Sequence, residues 1–558
     1  MSQRMRLAVR ISALALVGTT SASVAQAPSP GNVPAELRAR IAAVLELQSA
    51  SVHWSTPDHG APQALRALYT RTADAPLWSH AGDLTPQAQA LLRELGAAET
   101  YGLHAADYAV AAPVGTTSPT NWAAFDVQLT TAALKFVSNL HYGRVNPVAA
   151  GFKLEAPHEE IDLAASIDAI AHAKDVHAAL AALEPPFLHY RLLKAALPNY
   201  LELAQRKGLT DLPQPPAHLR VGDHYQGAQG LRSLLEALGD LPRATAPSGA
   251  AAELDSSPTY DAALSAAINA FQLRHGLTAD GLLGKSTFAA LTTPMARRVR
   301  QIELTLERWR WLPPFKTPPI IVNIPQFRLY AFRTTGDRLA DILPLDVIVG
   351  QTFPHAQTPV FEADMKYVVF RPYWDVPADI TVREMLPQIR KHPHYLESQH
   401  LELVRGQADS SPVVPPTPEN LDALAHGQLR LRQQPGPDNA LGLIKFILPN
   451  DYSVYLHSTP AHQLFQRARR TFSHGCIRVS DPIALAMLVL KHADGDWTRE
   501  KIEAAMNATA DNQRVYLKTP INVLIVYGTA LATEAGPVFF FDDIYGYDRR
   551  LERQLGGR

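Results

Sequence analysis

The chain has 558 residues, of which 46% are hydrophobic and 19% are charged, and its formal net charge is −1. A chain of this length exceeds one ordinary hydrophobic core, so the composition indicates a globular protein with several domains. The nearly balanced charge gives no electrostatic argument for a nucleic-acid partner.

The N-terminal segment has the layout of a secretory signal peptide. Three arginines among the first ten residues precede an apolar run, residues 11–17, and the small residues Ser23-Val24-Ala25 offer a cleavage site. We therefore predict a signal peptide over 1–25 and an exported mature chain, with an uncleaved anchor as the alternative. The apolar run is short for a membrane span and no later stretch reaches that length, so no transmembrane segment is predicted in the mature chain.

The next part of the chain, residues 34–215, is predicted to be a helical scaffold domain. Pro34 opens a segment with apolar residues at helical spacing, and similar stripes recur around 125–141 and 190–207. These patterns favour a helical bundle without chemistry of its own. A proline-rich linker, Pro213-Gln-Pro215-Pro216, follows.

A smaller unit is predicted between residues 219 and 293. Ile268 and Phe271 belong to an apolar stripe at helical spacing, and a turn at Asp280-Gly281 separates it from a second stripe. The pattern LSAAINAFQLRHGLTADGLLGKSTFAAL resembles the peptidoglycan-binding domain, a small three-helix module. The alternative is a generic helical hairpin with an Asp-Gly turn.

A connecting helix over 295–312 leads to a part of the chain with strand periodicity. Segments rich in β-branched and aromatic residues, such as IIVNIPQFRLYAF, MKYVVFRPYW and INVLIVYGTAL, predict a mainly β domain over 317–550. A helical pattern and a proline-rich loop interrupt the strands between about 376 and 430. We interpret this interruption as a helical insertion that forms a lid, with a decorative surface insertion as the alternative. The predicted fold class is therefore multidomain α+β.

Cys476 is the single cysteine of the chain. An exported structural cysteine normally has a disulfide partner, so Cys476 is either a nucleophile or an inert thiol. A thiol attacks as thiolate and needs a base or a positive field nearby. Strand alternation in YSVYLHSTP places His457 and Tyr455 on one face, which makes His457 a candidate base. Gly475 lets the backbone approach a substrate, and the amides of Gly475 and Cys476 would form an oxyanion hole.

His457 followed by the run from Ser473 to Arg478, SHGCIR, resembles the signature of the L,D-transpeptidase catalytic domain of the YkuD type. The stretch VIVGQTFPHAQTPVF is similar to the Gly-to-Thr-Pro stretch of that domain. The order of a helical region, a peptidoglycan-binding-like module and an interrupted β domain resembles the large lidded L,D-transpeptidases of Gram-negative periplasms. The resemblance implies a periplasmic enzyme of cell-wall biogenesis and cell shape.

The resemblance also implies a mechanism. Cys476 attacks the carbonyl of the L-centre of meso-diaminopimelate in a tetrapeptide stem, D-Ala leaves, and a thioester forms. An amine of a second stem resolves the thioester and gives a 3→3 cross-link. His457 is the expected base, His474 a supporting residue, and a carbapenem is expected to acylate the same thiol.

The remaining candidates contact or orient the substrate. Arg478 either holds a stem carboxylate or braces the loop by pairing with backbone carbonyls. The other substrate-binding candidates are Ser473, Ser458, Tyr455, Tyr373 and Trp374. Surface solvation is the alternative interpretation for the two serines, and packing is the alternative for the aromatic residues.

No metal and no cofactor are predicted, because the histidines are scattered and no cysteine pair exists. The expected partners are peptidoglycan stem peptides and glycan, with other cell-wall synthesis proteins as further candidates. The spacing of cysteine, histidine and arginine argues against a sortase-type enzyme. Two alternatives stay open: an L,D-carboxypeptidase or endopeptidase of the same fold, and a non-enzymatic peptidoglycan-binding protein.

Overall fold

The computed structural model describes residues 35–48, 58–80, 82–113, 118–154, 160–217, 219–242, 258–335, 341–534 and 536–556. The signal peptide predicted at 1–25 lies outside these ranges. Among the helices of the described ranges, none combines the length and the apolar character that crossing a membrane requires.

The N-terminal part is helical, as the apolar spacing predicts. Its elements are α1 (Ala35–Gln48), α2 (Ala61–Arg71), the hairpin strands β1 (Ser79–His80) and β2 (Asp83–Leu84), α3 (Pro86–Gly96), α4 (Pro119–Tyr142), α5 (Leu163–Ala171), α6 (Val176–Ala181) and α7 (Leu188–Gln205). Helix α4 is buried along most of its length and forms the centre of the first core. Its buried Asp126 accepts hydrogen bonds from the Tyr69 hydroxyl (2.6 Å) and from the Trp78 amide (2.9 Å). These bonds tie α4 to α2 and to the hairpin.

The described residues between 219 and 293 form three helices. They are α8 (Ala228–Leu238), α9 (Ala262–Arg274) and α10 (Lys285–Leu291). The Asp261 side chain caps α9 by accepting the Leu264 amide (2.8 Å). The Asp-Gly turn is fixed by Gln272, whose side-chain oxygen accepts the amides of Asp280 (3.0 Å) and Gly281 (2.8 Å).

Helix α11 (Met295–Arg310) connects the parts of the molecule through buried charged side chains. Glu307 accepts the backbone amides of Arg144 (2.5 Å) and Val145 (3.0 Å). Arg308 pairs with Asp548 (2.7 Å) near the C-terminus. Because a buried charge is costly without a partner, these contacts hold α11 in one position between the scaffold and the β domain.

The β domain has a nine-stranded sheet with the order β13-β5-β14-β12-β11-β6-β15-β3-β4. The strands of this part of the chain are β3 (Ile320–Asn323), β4 (Arg328–Phe332), β5 (Ile342–Gly350), β6 (Phe361–Phe370), β7 (Trp374–Asp375), β8 (Leu401–Val404), β9 (Val413–Val414), β10 (Arg430–Gln433), β11 (Ile444–Ile447), β12 (Leu456–His457), β13 (Thr471–Ser473), β14 (Ile477–Val479), β15 (Gln513–Val526), β16 (Ala530–Ala532) and β17 (Val538–Phe540). Strand β5 also pairs with β4, which curls the sheet into a barrel-like form. The predicted α+β class is confirmed.

The insertion is built from both helices and strands. It contains α12 (Ala378–Ile380), a π-helical turn (Thr381–Met385), α13 (Leu386–Lys391), α14 (Tyr395–Ser398) and α15 (Pro418–Ala425). The helices agree with the predicted pattern, but the insertion also holds a four-stranded sheet, β7-β10-β8-β9, that the sequence analysis did not predict. Its strands have two to four residues, too few for a period of two to be recognised. A small separate core packs the helices on this sheet.

The domain ends with three more helices, α16 (Pro482–Val489), α17 (Arg499–Met506) and α18 (Tyr547–Gln554). The Asp481 side chain caps α16 by accepting the Ala484 amide (2.8 Å), and Pro482 is its first residue. Helix α16 therefore begins three residues after β14 and holds the strand that follows Cys476.

Candidate active site

The register of three neighbouring strands brings the candidate residues to one face of the sheet. His457 on β12 lies opposite Lys445 on the antiparallel strand β11 and opposite Arg478 on the parallel strand β14. Opposed residues on paired strands point to the same face. Cys476 directly precedes β14, two positions before Arg478, and Tyr455 lies two positions before His457. The pairing therefore brings together Cys476, His457 and Arg478, and it adds Lys445, which the sequence analysis did not select.

The Cys476 thiol is partly exposed. It donates a hydrogen bond to the Ser453 carbonyl (3.5 Å), while Tyr455 directs its amide and its hydroxyl at the sulfur. Burial raises the pKa of the Cys476 thiol above its usual value, and the Tyr455 donors and the charges of Lys445 and Arg478 act in the opposite direction. The thiol is therefore protonated at neutral pH in the resting site.

His457 is 3% exposed, and its Nδ1 donates to the Ser458 carbonyl at 2.5 Å. Because a carbonyl can only accept, the proton is on Nδ1 and the lone pair is on Nε2. Burial lowers the pKa of His457 to about 3, helped by the charges of Arg478 and Lys445 and opposed by the backbone at Ser458 and Leu441. At pH 7 the imidazole is neutral and able to accept a proton.

The turn before Cys476 is fixed by its own hydrogen bonds. Gly475 has φ +114°, a conformation that residues with a Cβ rarely adopt. Ser473 Oγ donates to the Cys476 carbonyl (2.5 Å) and accepts the Gly475 amide (3.3 Å). Ser473 is buried and its hydroxyl is engaged within the turn, so it orients the catalytic loop. The predicted contact of Ser473 with substrate has no support in this geometry.

Thr358 is a buried residue that anchors this turn and that the sequence analysis did not select. Its Oγ1 donates to the Gly475 carbonyl (2.8 Å) and accepts the Gly350 amide (2.9 Å). The Tyr545 hydroxyl donates to the Gly350 carbonyl (2.6 Å) from the other side. Thr358 lies in the Gly-to-Thr-Pro stretch, which was the only sequence signal for it.

We expect Thr358→Val to destabilise the protein and to slow turnover. Valine keeps the shape but leaves the Gly475 carbonyl and the Gly350 amide without their partner, at a cost of about 1–3 kcal/mol. Chemical denaturation and release of D-Ala from a tetrapeptide stem measure the two effects. Thr358→Ser is the matched control because it keeps the hydroxyl. Equal stability and rate in the valine variant would show that this hydroxyl does not hold the turn.

Ser458 contributes to the site through its backbone. Its carbonyl accepts the His457 Nδ1 proton, and the residue is 5% exposed. Gly442 lies against it with φ +62°, and a Cβ at Gly442 would be 2.7 Å from the Ser458 Cβ. A side chain at position 442 would therefore displace the residue that orients His457. The sequence analysis did not select Gly442.

The exposed His474 contacts the insertion. Its Nε2 lies 2.9 Å from Oε1 of Glu384, which belongs to the π-helical turn Thr381–Met385. The insertion therefore reaches the residue two positions before Cys476. This contact places the insertion next to the turn that precedes the thiol.

The aromatic candidates occupy different positions. The Tyr455 ring packs edge-on against His457, with 5.7 Å between ring centroids. The Tyr373 ring lies beneath the Arg432 guanidinium (4.1 Å), and Trp374 packs on the core of the insertion. Tyr455 is thus at the centre of the site, whereas Tyr373 and Trp374 have packing positions at the base of the insertion.

Arg478 is half-buried beside the thiol. Its Nε is buried and has no hydrogen-bond partner in the described part of the chain. Of the two roles considered for Arg478, this favours binding an anionic group over bracing the loop. Within the same described ranges, no group of three or more His, Cys, Asp or Glu side chains is arranged to hold a metal ion.

Three separate segments of the chain match models of known protein families. Residues 63–197 match the family model described as "Scaffold domain", residues 228–291 match "Putative peptidoglycan binding domain", and residues 318–523 match "L,D-transpeptidase catalytic domain". The chain is 32% identical over 261 residues to a curated protein of Haemophilus influenzae named "Putative L,D-transpeptidase".

That alignment covers 47% of this chain and 50% of the relative, so the chain spans about half the length of the curated relative it matches. The matched segment of the family model contains Cys476, His457, Lys445 and Arg478. The predicted resemblance is confirmed at the level of domains. Residues 318–523 match the model of the L,D-transpeptidase catalytic domain family, and residues 228–291 of the same chain match the model of a peptidoglycan-binding domain.

Proposed function

We propose that this protein is a peptidoglycan L,D-transpeptidase in which Cys476 is the nucleophile and His457 the base. One observation carries the proposal. A partly exposed thiol, supported by the Tyr455 amide and hydroxyl, lies on the same face as a neutral imidazole whose Nδ1 is held by the Ser458 carbonyl. This combination of nucleophile, base and orienting group is the arrangement that acyl transfer requires.

The first half-reaction forms a thioester. Cys476 Sγ attacks the carbonyl carbon of the L-centre of meso-diaminopimelate in a tetrapeptide stem, and the thiol proton passes to His457 Nε2. The S–C bond forms, the C–N bond to D-Ala breaks, and the imidazolium returns the proton to the leaving nitrogen. An imidazolium with a pKa of about 3 gives up this proton readily.

The second half-reaction makes the cross-link. A side-chain amine of a second stem attacks the thioester, loses a proton through His457, and releases the Cys476 thiol with a 3→3 linkage. The Gly475 amide is already engaged by Ser473, so we assign the developing oxyanion to the Cys476 amide. Arg478 is assigned to a carboxylate of the stem, in keeping with its unpartnered Nε.

The module at 228–291 supports peptidoglycan as the polymer to which the enzyme is targeted. Peptidoglycan lies outside the cytoplasmic membrane, and the signal-peptide pattern at the N-terminus is consistent with export to the periplasm. Stem peptides and glycan are the proposed partners.

The test is incubation of the purified protein with a disaccharide-tetrapeptide, followed by mass analysis of the products. We expect a dimer that has lost one D-Ala. A tripeptide monomer alone would instead identify an L,D-carboxypeptidase. Unchanged substrate, with Cys476 shown to be intact and reduced, would overturn the enzymatic proposal and leave a peptidoglycan-binding protein.

The insertion is proposed to act as a lid over this site, supported by the contact of Glu384 with His474. Strands β7 and β10 pair at its base, with Asp375 opposite Arg432, so replacing residues 380–428 by a Gly-Ser linker leaves both strands present. We expect alkylation of Cys476 by iodoacetamide to be unchanged in this deletion. Cross-linking is expected to fall on the order of ten- to a hundredfold, because a flexible stem is no longer positioned.

Glu384→Gln is the matched variant, since it removes the carboxylate that contacts His474 and keeps the rest of the insertion. We expect it to lose part of the cross-linking rate and to release more hydrolysed tripeptide than the parent. Equal cross-linking rates in the deletion variant and the parent would show that the insertion does not act as a lid.

A further inference from the structure

Lys445 is a charged residue in this site to which neither the sequence analysis nor the comparisons gave a role. It lies on β11, directly opposite His457, and is half-buried. Its Nζ donates to the Tyr373 carbonyl (3.5 Å) and lies 5.5 Å from the centre of the Tyr455 ring. Lys445 therefore points to the same side of the sheet as the residues around the thiol.

The carboxylates near Lys445 are already paired with other cations. Asp375 pairs with Arg430, and Asp409 pairs with Arg514 (2.7 Å). No ion pair of Lys445 itself is formed within the described ranges. An ammonium group in such a position is stabilised by a nearby anion. Burial raises the pKa of the neighbouring Tyr455 phenol well above its usual value, so this group stays neutral. Apart from Tyr455 and the paired carboxylates, the group near Lys445 that can become an anion is the Cys476 thiol.

We propose that Lys445 is the fixed positive charge of this site, and that it stabilises the Cys476 thiolate through space while His457 remains a neutral base. This inference rests on the proposed function of Cys476. Lys445 does not contact the reacting atoms in this assignment, so it is a positioning residue that acts through the thiol. Arg478 is its counterpart on the opposite side of His457, on strand β14.

Two cations on either side of His457 have opposite effects on the two groups that exchange a proton. They favour the thiolate and disfavour the imidazolium. A stable thiolate–imidazolium pair is therefore not expected in the resting enzyme, and the proton that His457 accepts is passed on to the leaving amine. This distinguishes the site from cysteine enzymes in which a charged histidine stabilises the thiolate.

The experiment measures the rate of Cys476 alkylation by iodoacetamide against pH in Lys445→Met, Lys445→Gln and Lys445→Arg. The midpoint of the pH profile reports the charge near the thiol, and the plateau at high pH reports its accessibility. We expect both neutral variants to shift the midpoint upward by about one pH unit, which slows alkylation about tenfold at pH 7. The arginine variant should keep the parent's midpoint because it keeps the charge.

Lys366→Met is the matched control, since Lys366 is exposed on β6 of the same sheet. An unchanged midpoint in a folded neutral variant would overturn the proposal, as would an equal shift in the arginine variant. Loss of folding in both neutral variants, measured by thermal unfolding, would also overturn it. The charge of Lys445 would then serve to stabilise the fold and not the thiolate. Alkylation needs no peptidoglycan. The result for Lys445 can therefore be distinguished from success or failure of the cross-linking assay.

Discussion

Cys476→Ala is expected to abolish release of D-Ala and formation of cross-links while the protein stays folded. Without the sulfur no thioester can form, so the chemical step has no alternative route through this site. The residue is partly exposed, its thiol donates one long hydrogen bond to the Ser453 carbonyl at 3.5 Å, and the sulfur is a weak acceptor for the Tyr455 donors. Its removal should therefore cost little stability.

D-Ala release and thermal unfolding are measured on the same preparations. Cys476→Ser is the matched control, because it keeps the size and the hydrogen-bonding capacity of the side chain but replaces the thiolate by a much weaker nucleophile. Intact-mass measurement with a carbapenem should show one adduct per chain in the parent and none in either variant. Retained D-Ala release in the alanine variant would remove Cys476 from the role of nucleophile.

His457→Ala is expected to slow thioester formation by a factor of about 10²–10⁴, the range for loss of a positioned base. The variant loses the Nε2 lone pair that accepts the thiol proton. The cations on either side of His457 cannot accept a proton in its place. His457→Asn is the more informative variant, because its amide can still donate to the Ser458 carbonyl while it cannot accept the thiol proton. Single-turnover release of D-Ala gives the rate of thioester formation. Thermal unfolding shows whether the substitution at this buried position destabilises the protein.

The pH dependence gives a second test of His457. A base must be unprotonated to act, and the pKa of His457 is about 3, so protonation of this histidine should not limit the rate between pH 5 and 8. The rate should be nearly independent of pH across this range, because the reactive form combines a protonated thiol, whose pKa burial raises, with a neutral imidazole. A loss of activity centred near pH 6.5 that disappears in His457→Asn would contradict the neutral, buried imidazole.

The sequence by itself determined those candidate residues that a short motif identifies. A single cysteine after Ser-His-Gly, with a histidine on a strand upstream, was enough to select Cys476 and His457. Helical periodicity was enough to predict the helical scaffold and α11, because the buried face of an amphipathic helix recurs every three to four residues in the sequence. The three-helix module was predicted from its resemblance to the peptidoglycan-binding domain. The connection of these units to an L,D-transpeptidase domain followed from motifs that the family models match.

Only the tertiary structure decided which distant residues surround the thiol. Lys445 became part of the site because β11 pairs with β12 in one register, and a slip of one residue would have turned its side chain to the other face. Thr358 and Gly442 acquired their roles through contacts with residues 117 and 16 positions away, at Gly475 and Ser458. The protonation states of Cys476 and His457 depend on burial and on two cations from other strands. These properties arise from strand register and desolvation, which have no local signature in the order of amino acids.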